Sequence, residues 1–219
     1  MRNYLENTLI ALLWSLLVVP KLLWLATAAA LQWNGAFGTS LVAMPSLIEA
    51  MGWPSLADAE MALFQTIIVV LFITRRPAVA LGNRWDGLLG LTGTLVPLLA
   101  QRGGPSLGGW TVAFQSLALL GMIAAVLSLN TSFGVVPADR GVKTGGMYRL
   151  VRHPVYATEL LFMLGFVAGN ITWRNLAVGT LFLATEVMRA WREELLLKRN
   201  PEYLSYCQRV RFRFLPFLI

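Results

Sequence analysis

The sequence predicts an all-α protein, a polytopic bundle of five to six membrane-crossing helices, and three observations carry that prediction. Hydrophobic residues make up 57% of the chain and charged residues only 13%. Apolar runs recur at lengths near the ~20 residues that a helix needs to cross a bilayer. The formal charge of +7 is carried by basic residues that flank those runs, so it reads as membrane topology and not as a surface for nucleic acid.

Taken in order, the apolar helical segments lie at about 8–31, 56–74, 86–101, 110–129, 155–169 and 175–191. The first has a rival reading as a signal sequence, since Arg2 precedes an apolar run ending in Ala26–Ala30. Its length exceeds the usual apolar core of about 7–15 residues, and Lys21 after Pro20 interrupts it. The last segment is short and increasingly charged, as in a helix that leaves the membrane partway. No Pro-, Gly- or Ser-rich linker divides the 219 residues, which fit a single integral membrane domain. Nothing in the sequence fixes an oligomeric state.

Six crossings put both termini on one side. With a cytoplasmic N-terminus, Arg75, Arg76, Arg84, Arg140, Lys143, Arg149, Arg152 and the basic C-terminal tail all face inward, and only Arg102 and Arg174 face outward. The positive-inside rule selects that orientation. Cys207 is alone, which excludes an intrachain disulfide and C-x-x-C sites. One His and one Cys also make a protein zinc site improbable.

The chemistry concentrates in the second half, around Lys143-Thr144-Gly145-Gly146-Met147-Tyr148 and Arg152-His153-Pro154-Val155-Tyr156. Pro154 suits the first turn of a helix, where its missing amide proton costs nothing, which makes His153 the cap. A helix start with free amides attracts an anion. Tyr156, Glu159 and Met163 share one helical face, and Glu186, Arg189 and Glu193 fall within about 60° of one another at 3.6 residues per turn, with Glu194 pointing elsewhere. Plainer roles also fit these residues. His153 can be a capping residue, Arg189 and Glu193 a surface i→i+4 ion pair, Tyr203 and Tyr206 interfacial aromatics, and Arg209, Arg211 and Arg213 a headgroup-facing strip. Glu159 and Glu186 resist such readings, because an ionisable group at membrane depth is costly and faces a cavity or a partner.

From about Ser132 to Phe217 the chain resembles the isoprenylcysteine carboxyl methyltransferase family of integral membrane methyltransferases. The matching residues are Ser132-Phe133-Gly134, Val142 to Tyr148, Arg152 to Tyr156, Asn170, Arg189, Glu193, Glu194, Pro201-Glu202-Tyr203, Tyr206 and Arg213-Phe214-Leu215-Pro216. The resemblance implies S-adenosyl-L-methionine bound at the cytoplasmic membrane edge. By carry-over, Lys143 to Tyr148, Arg152, His153, Pro154, Tyr156, Asn170 and Tyr203 would hold it, with Glu193 or Glu194 pairing its ammonium group. The distantly similar phospholipid N-methyltransferases share the H/N-P-x-Y and Glu-Glu elements but lack the arginine. Arg189 is therefore expected to meet the acceptor, through a carboxylate bound in bidentate fashion, and Glu159 or Glu186 to act as base if the acceptor is an amine.

Residues 131–219 would then form the cofactor-binding and catalytic half, and the first 130 residues, which show no match, would shape lipid access. The expected reaction is carboxyl O-methylation of an isoprenoid-like or isoprenylcysteine-like substrate, with lipid-amine N-methylation as the alternative. Compactness and arginine-rich loops give the look of a bacterial inner-membrane member. Two further classes stay open: an NADPH-dependent reductase of the sterol type, and a lipid-binding subunit without activity.

Overall fold

The computed structural model describes residues 2–37, 53 and 55–217. Among these described residues seven helices form: α1 (Arg2–Phe37), α2 (Leu56–Thr74), α3 (Arg84–Leu95, extended by a 3-10 turn over Val96–Leu99), α4 (Trp110–Leu129), α5 (Pro154–Gly169), α6 (Trp173–Leu197) and α7 (Pro201–Arg209). All six apolar segments read from the sequence are helical, and α7 is an addition. Among the described residues, only Leu56–Thr74 and Trp110–Ser132 are long and apolar enough to cross a bilayer. The 16 residues of α5 reach about 24 Å at 1.5 Å per residue, short of a ~30 Å hydrocarbon core.

The chain forms two compact units, Met1–Ile73 and Thr74–Ile219. In the first, α1 runs for 36 residues with Pro20 inside it, and α2 buries Glu60, Ala62, Ile68, Leu71 and Phe72. All of the site residues read from the sequence lie in the second.

Within the second unit α4 packs along α5, with the Gln115 amide donating to the Gly165 carbonyl at 3.3 Å. α3 and α5 both pack on α6, and Val96, Met163, Val178 and Phe182 form an apolar core between them. A reciprocal cap starts α3. Asn83 Oδ1 accepts from the amides of Trp85 and Asp86, and Asp86 Oδ2 accepts from the Asn83 amide at 2.7 Å. Asp86 Oδ1 also takes Arg192 Nε at 2.6 Å, which anchors the start of α3 to the end of α6.

A two-stranded antiparallel ribbon ties the segment before α3 to the segment after α4: β1 (Ala80–Leu81) pairs with β2 (Ala138–Asp139). The Arg140 guanidinium extends the tie by donating to the Arg76 carbonyl at 3.1 Å. α7 begins as the sequence Asn200-Pro201-Glu202 dictates, with the Asn200 side chain accepting from the Glu202 amide at 3.0 Å and Pro201 in the first turn.

Polarity is inverted relative to a water-soluble protein. Leu117 and Leu164 are 69% and 60% exposed, whereas Glu186 and Asn175 are 0% exposed. A surface of large aliphatic side chains around buried charge is what a lipid solvent selects.

Candidate functional site

The site is built where the loop after α4, the start of α5, the end of α6, and α7 with its tail converge. Pro154 opens α5 with His153 in the cap position, but the His153 side chain makes no capping hydrogen bond. Its ring instead stacks on Tyr156 at 5.5 Å between centroids and points Nε2 toward Glu194 Oε1 at 3.4 Å. The tail closes over this end of α5 as a strand-like cover, since the amides of Arg152 and His153 donate to the carbonyls of Phe212 and Arg213 at 2.9 and 2.8 Å.

Glu194 is 2% exposed and is ringed by basic groups. Arg152 Nη1 lies at 3.1 Å, Arg213 Nε at 3.2 Å and Lys198 Nζ at 3.4 Å, in addition to His153. Burial alone would raise its carboxyl. The hydrogen bonds from His153 and Arg213, with the His153 and Arg152 charges behind them, override that and bring it down to about 2. With its oxygens committed, Glu194 is the anchor of the loop and tail and not a free receptor for an ammonium.

Glu193, one residue earlier and turned by about 100°, has one neutral partner instead: the Tyr156 hydroxyl donates to Oε2 at 2.7 Å. It lines a narrow cavity of about 40 Å³ together with Arg140, Lys143, Tyr148, Arg152, His153 and Tyr203. Two buried groups of that lining, Arg152 Nε and the Tyr203 hydroxyl, have no hydrogen-bond partner. Burial, reinforced by the Glu194 charge, pushes the Tyr203 phenol up, so at neutral pH it is a donor in want of an acceptor.

The lining fits a ligand with an anionic and a cationic end, the first for Arg152 and Tyr203, the second for Glu193. At about 40 Å³ the cavity has room for a few waters, and a nucleoside-sized group requires the loop to part from the tail.

No protein-family model matches this chain, and no curated protein matches it.

Of the remaining loop residues, Thr144 to Met147 form the turn beside the cavity. Gly146 has φ +57°, and a Cβ there would run into the Ser128 side chain, so the position requires glycine. Tyr148 packs with Tyr203 and Tyr206 in a buried aromatic cluster, and the Tyr206 hydroxyl donates to the Tyr148 carbonyl at 2.7 Å.

A second polar layer lies deeper along α5 and α6. Arg189 Nη1 donates to both oxygens of Glu186, at 2.7 and 2.8 Å, and Nη2 donates to the Val135 carbonyl at 3.1 Å. Its guanidinium carbon sits 4.9 Å from the centroid of the Tyr156 ring. The i→i+4 pair of Arg189 with Glu193 does not form, because Glu186 at i−3 takes the guanidinium. Glu159 lies close enough to Glu186 and Arg189 to interact with both, and its Oε2 has no partner.

Asn170 does not belong to the site. It lies at the other end of α5, 17 residues from His153 and so about 25 Å away along the helix. There its Oδ1 accepts from the Gly103 amide at 2.9 Å, which ties down the loop before α4. Sequence reasoning missed Gly93, whose Cβ would meet Arg189 Nη1 and Glu186 Oε1 at 2.6 Å. The available signal was the run Gly87, Gly90, Gly93, a stripe of small residues at every third position of α3. It also missed Asp86, Arg192 and the anchoring role of Arg213.

Proposed function

We propose that this chain is an integral membrane methyltransferase that binds S-adenosyl-L-methionine and acts on a lipophilic acceptor at the cytoplasmic face. One observation carries the reading: the unsaturated zwitterion receptor formed by Glu193 on one side and Arg152 Nε with the Tyr203 hydroxyl on the other. These three groups would hold an amino-acid moiety, and Lys143 to Tyr148 would close over the rest. When bound, the cofactor supplies a methyl group on a sulfonium centre. The residues of the chain align that group with the acceptor, and alignment alone is worth roughly 7–11 kcal/mol of barrier.

In this reading the shorter apolar helices α3, α5 and the apolar part of α1 also cross the membrane, with local thinning and tilt absorbing their length. With the apolar part of α6 as the sixth crossing, both termini lie in the cytoplasm, of a bacterial inner membrane by the look of the loops.

For the acceptor, the geometry favours an amine over the carboxylate expected from the sequence. Arg189 Nη1 is already bound to both oxygens of Glu186, and Nη2 to the Val135 carbonyl. A substrate carboxylate would have to displace Glu186 and face Glu159 and Glu193 as well. An ammonium headgroup meets attraction instead, and the free oxygen of Glu159 can take the proton that nitrogen must lose before its lone pair accepts a methyl group.

Calorimetric titration of the detergent-purified chain with S-adenosylhomocysteine, beside NADPH and a Glu193→Ala control, tests the cofactor assignment. Saturable binding of S-adenosylhomocysteine, lost in the variant, is expected; folded protein that binds NADPH alone, or neither ligand, would sink it. Transfer of a tritiated methyl group to phosphatidylethanolamine but not to a prenylated cysteine acid is expected for the acceptor, and the reverse preference refutes the amine reading.

A further inference from the structure

Outside the site, a groove of about 370 Å³ lies in the second unit between the turn that precedes α5 and the C-terminal tail. That volume lies within the range of small-molecule sites, about 300–1,000 Å³. Arg149, Arg209 and Arg211 line it, alternating with Leu150, Phe212 and Phe217. Among the described residues no carboxylate lies within ion-pair range of any of the three arginines, unlike Arg152, Arg189, Arg192 and Arg213. The apolar members are open as well, Leu150 at 60% and Phe217 at 89% exposure.

Three unneutralised guanidiniums in one groove call for an anion, and a phosphate is the anion their planar forks bind best. A soluble phosphate gives no use to exposed leucine and phenylalanine. An amphiphile with the phosphate at one end and hydrocarbon at the other uses both. We propose that this groove binds one anionic phospholipid, with Arg149, Arg209 and Arg211 on the headgroup phosphate and Leu150, Phe212 and Phe217 against the first methylenes of its chains. The site is separate from the cofactor cavity and does not depend on the methyltransferase reading.

The groove is joined to that cavity through the tail. Arg152 Nη2 donates to the Arg211 carbonyl at 3.1 Å, and Phe212 and Arg213 accept from the backbone amides of Arg152 and His153. A lipid that clamps Arg149 to Arg211 therefore holds shut the cover over His153 and Glu194.

The test is a binding titration of the full chain in non-ionic detergent with phosphatidylglycerol, phosphatidylcholine and inorganic phosphate. One saturable phosphatidylglycerol site is expected, with far weaker binding of the other two. The triple variant R149Q/R209Q/R211Q should lose about 100-fold in affinity, from about fivefold for each arginine at an anionic surface. Binding of phosphatidylglycerol by the folded triple variant as tight as in the wild type overturns the proposal. Binding of inorganic phosphate as tight as that of the lipid overturns it too, since the groove would then be a soluble-anion site. Photolabelling of the wild type with a diazirine-bearing phosphatidylglycerol needs no variant: label on Leu150, Phe212 or Phe217 supports the site, and label confined to other segments refutes it.

Discussion

Glu194→Gln keeps the size of the side chain, removes its charge and turns one of its two acceptor oxygens into a donor, which leaves Arg152, His153, Lys198 and Arg213 facing one another around a neutral amide. The proton affinity of Glu194 measures what that charge is worth. The carboxyl falls from 4.5 to about 2 on folding, which is about 3 kcal/mol at roughly 1.4 kcal/mol for each tenfold change in proton affinity. Removing one partner from a buried ion cluster costs a similar amount, about 3–5 kcal/mol. At about 2–4 °C per kcal/mol for a chain of this size, the melting midpoint in detergent, followed by tryptophan fluorescence, should drop by roughly 6–12 °C. The folded-state value lies below the unfolded one, so this stability is fully present above pH 4.5 and is lost as pH falls toward 2. Wild type should therefore lose midpoint across that window more steeply than the variant. Glu193→Gln is the contrasting change, because it gives up a single hydrogen bond to Tyr156. It should melt within about 1 kcal/mol of wild type and lose S-adenosylhomocysteine binding. A Glu194→Gln midpoint within about 2 °C of wild type would refute the anchoring role, and equal destabilisation by the two variants would erase the distinction between them.

Three further outcomes follow from other contacts. Gly93→Ala places a methyl group 2.6 Å from Arg189 Nη1 and Glu186 Oε1, and the ion pair must open to admit it. A loss of about 1–3 kcal/mol is expected in chemical denaturation, and an unchanged denaturation midpoint would mean that α3 does not approach α6 so closely. Tyr206→Phe deletes the buried hydroxyl bond to the Tyr148 carbonyl and should cost about 1–2 kcal/mol; full wild-type stability would show that the aromatic cluster needs no polar link. A reporter fused to the C-terminus should be active in the cytoplasm, and activity confined to the far side of the membrane would overturn the topology together with the proposed convergence of loop and tail.

Helix positions were legible because apolar run length and the breaks at Pro77, Gly103–Gly104 and Thr172 are local properties. The number of crossings was not, because α3, α5 and α6 are apolar enough to be buried in lipid or in protein, and the sequence does not say which. α7 escaped the hydropathy pattern, since its start at Asn200-Pro201 lies in a polar tail where only cap chemistry marks a helix. The ribbon of β1 and β2 is two residues per strand, too short for any alternation to register. In the site, His153, Tyr156 and Glu193 were brought together in expectation by the resemblance, since spacing alone grouped residues only within each helix. Asn170 was placed wrongly because a linear pattern carries no distance, and the 16 residues of α5 separate it from His153. The division of labour between Glu193 and Glu194 was equally hidden, because the partners that saturate Glu194 come from residues 152, 153, 198 and 213.

α6 sends its charges in different directions, and how far each is satisfied sorts structural from functional groups. Arg192 is matched by Asp86, Arg189 by Glu186, and Glu194 by several cations at once. Each of these could be lost only at a cost in folding; Arg192 and Glu194 are taken up by their partners, and Arg189 keeps only its Nε–H without one. Glu193 holds one phenol, and Glu159 leaves an oxygen with nothing. The Glu159 oxygen sits where burial makes an unsatisfied carboxyl group expensive. Since Tyr156 touches Glu193 through its hydroxyl and Arg189 through its ring, it is the side chain through which the two unsaturated sites communicate. A Tyr156→Phe variant retains the ring against Arg189 and frees Glu193. In the donor-and-acceptor reading it should change cofactor affinity while leaving acceptor affinity in place, and a variant that loses both equally would mean that the two carboxyl groups serve one site.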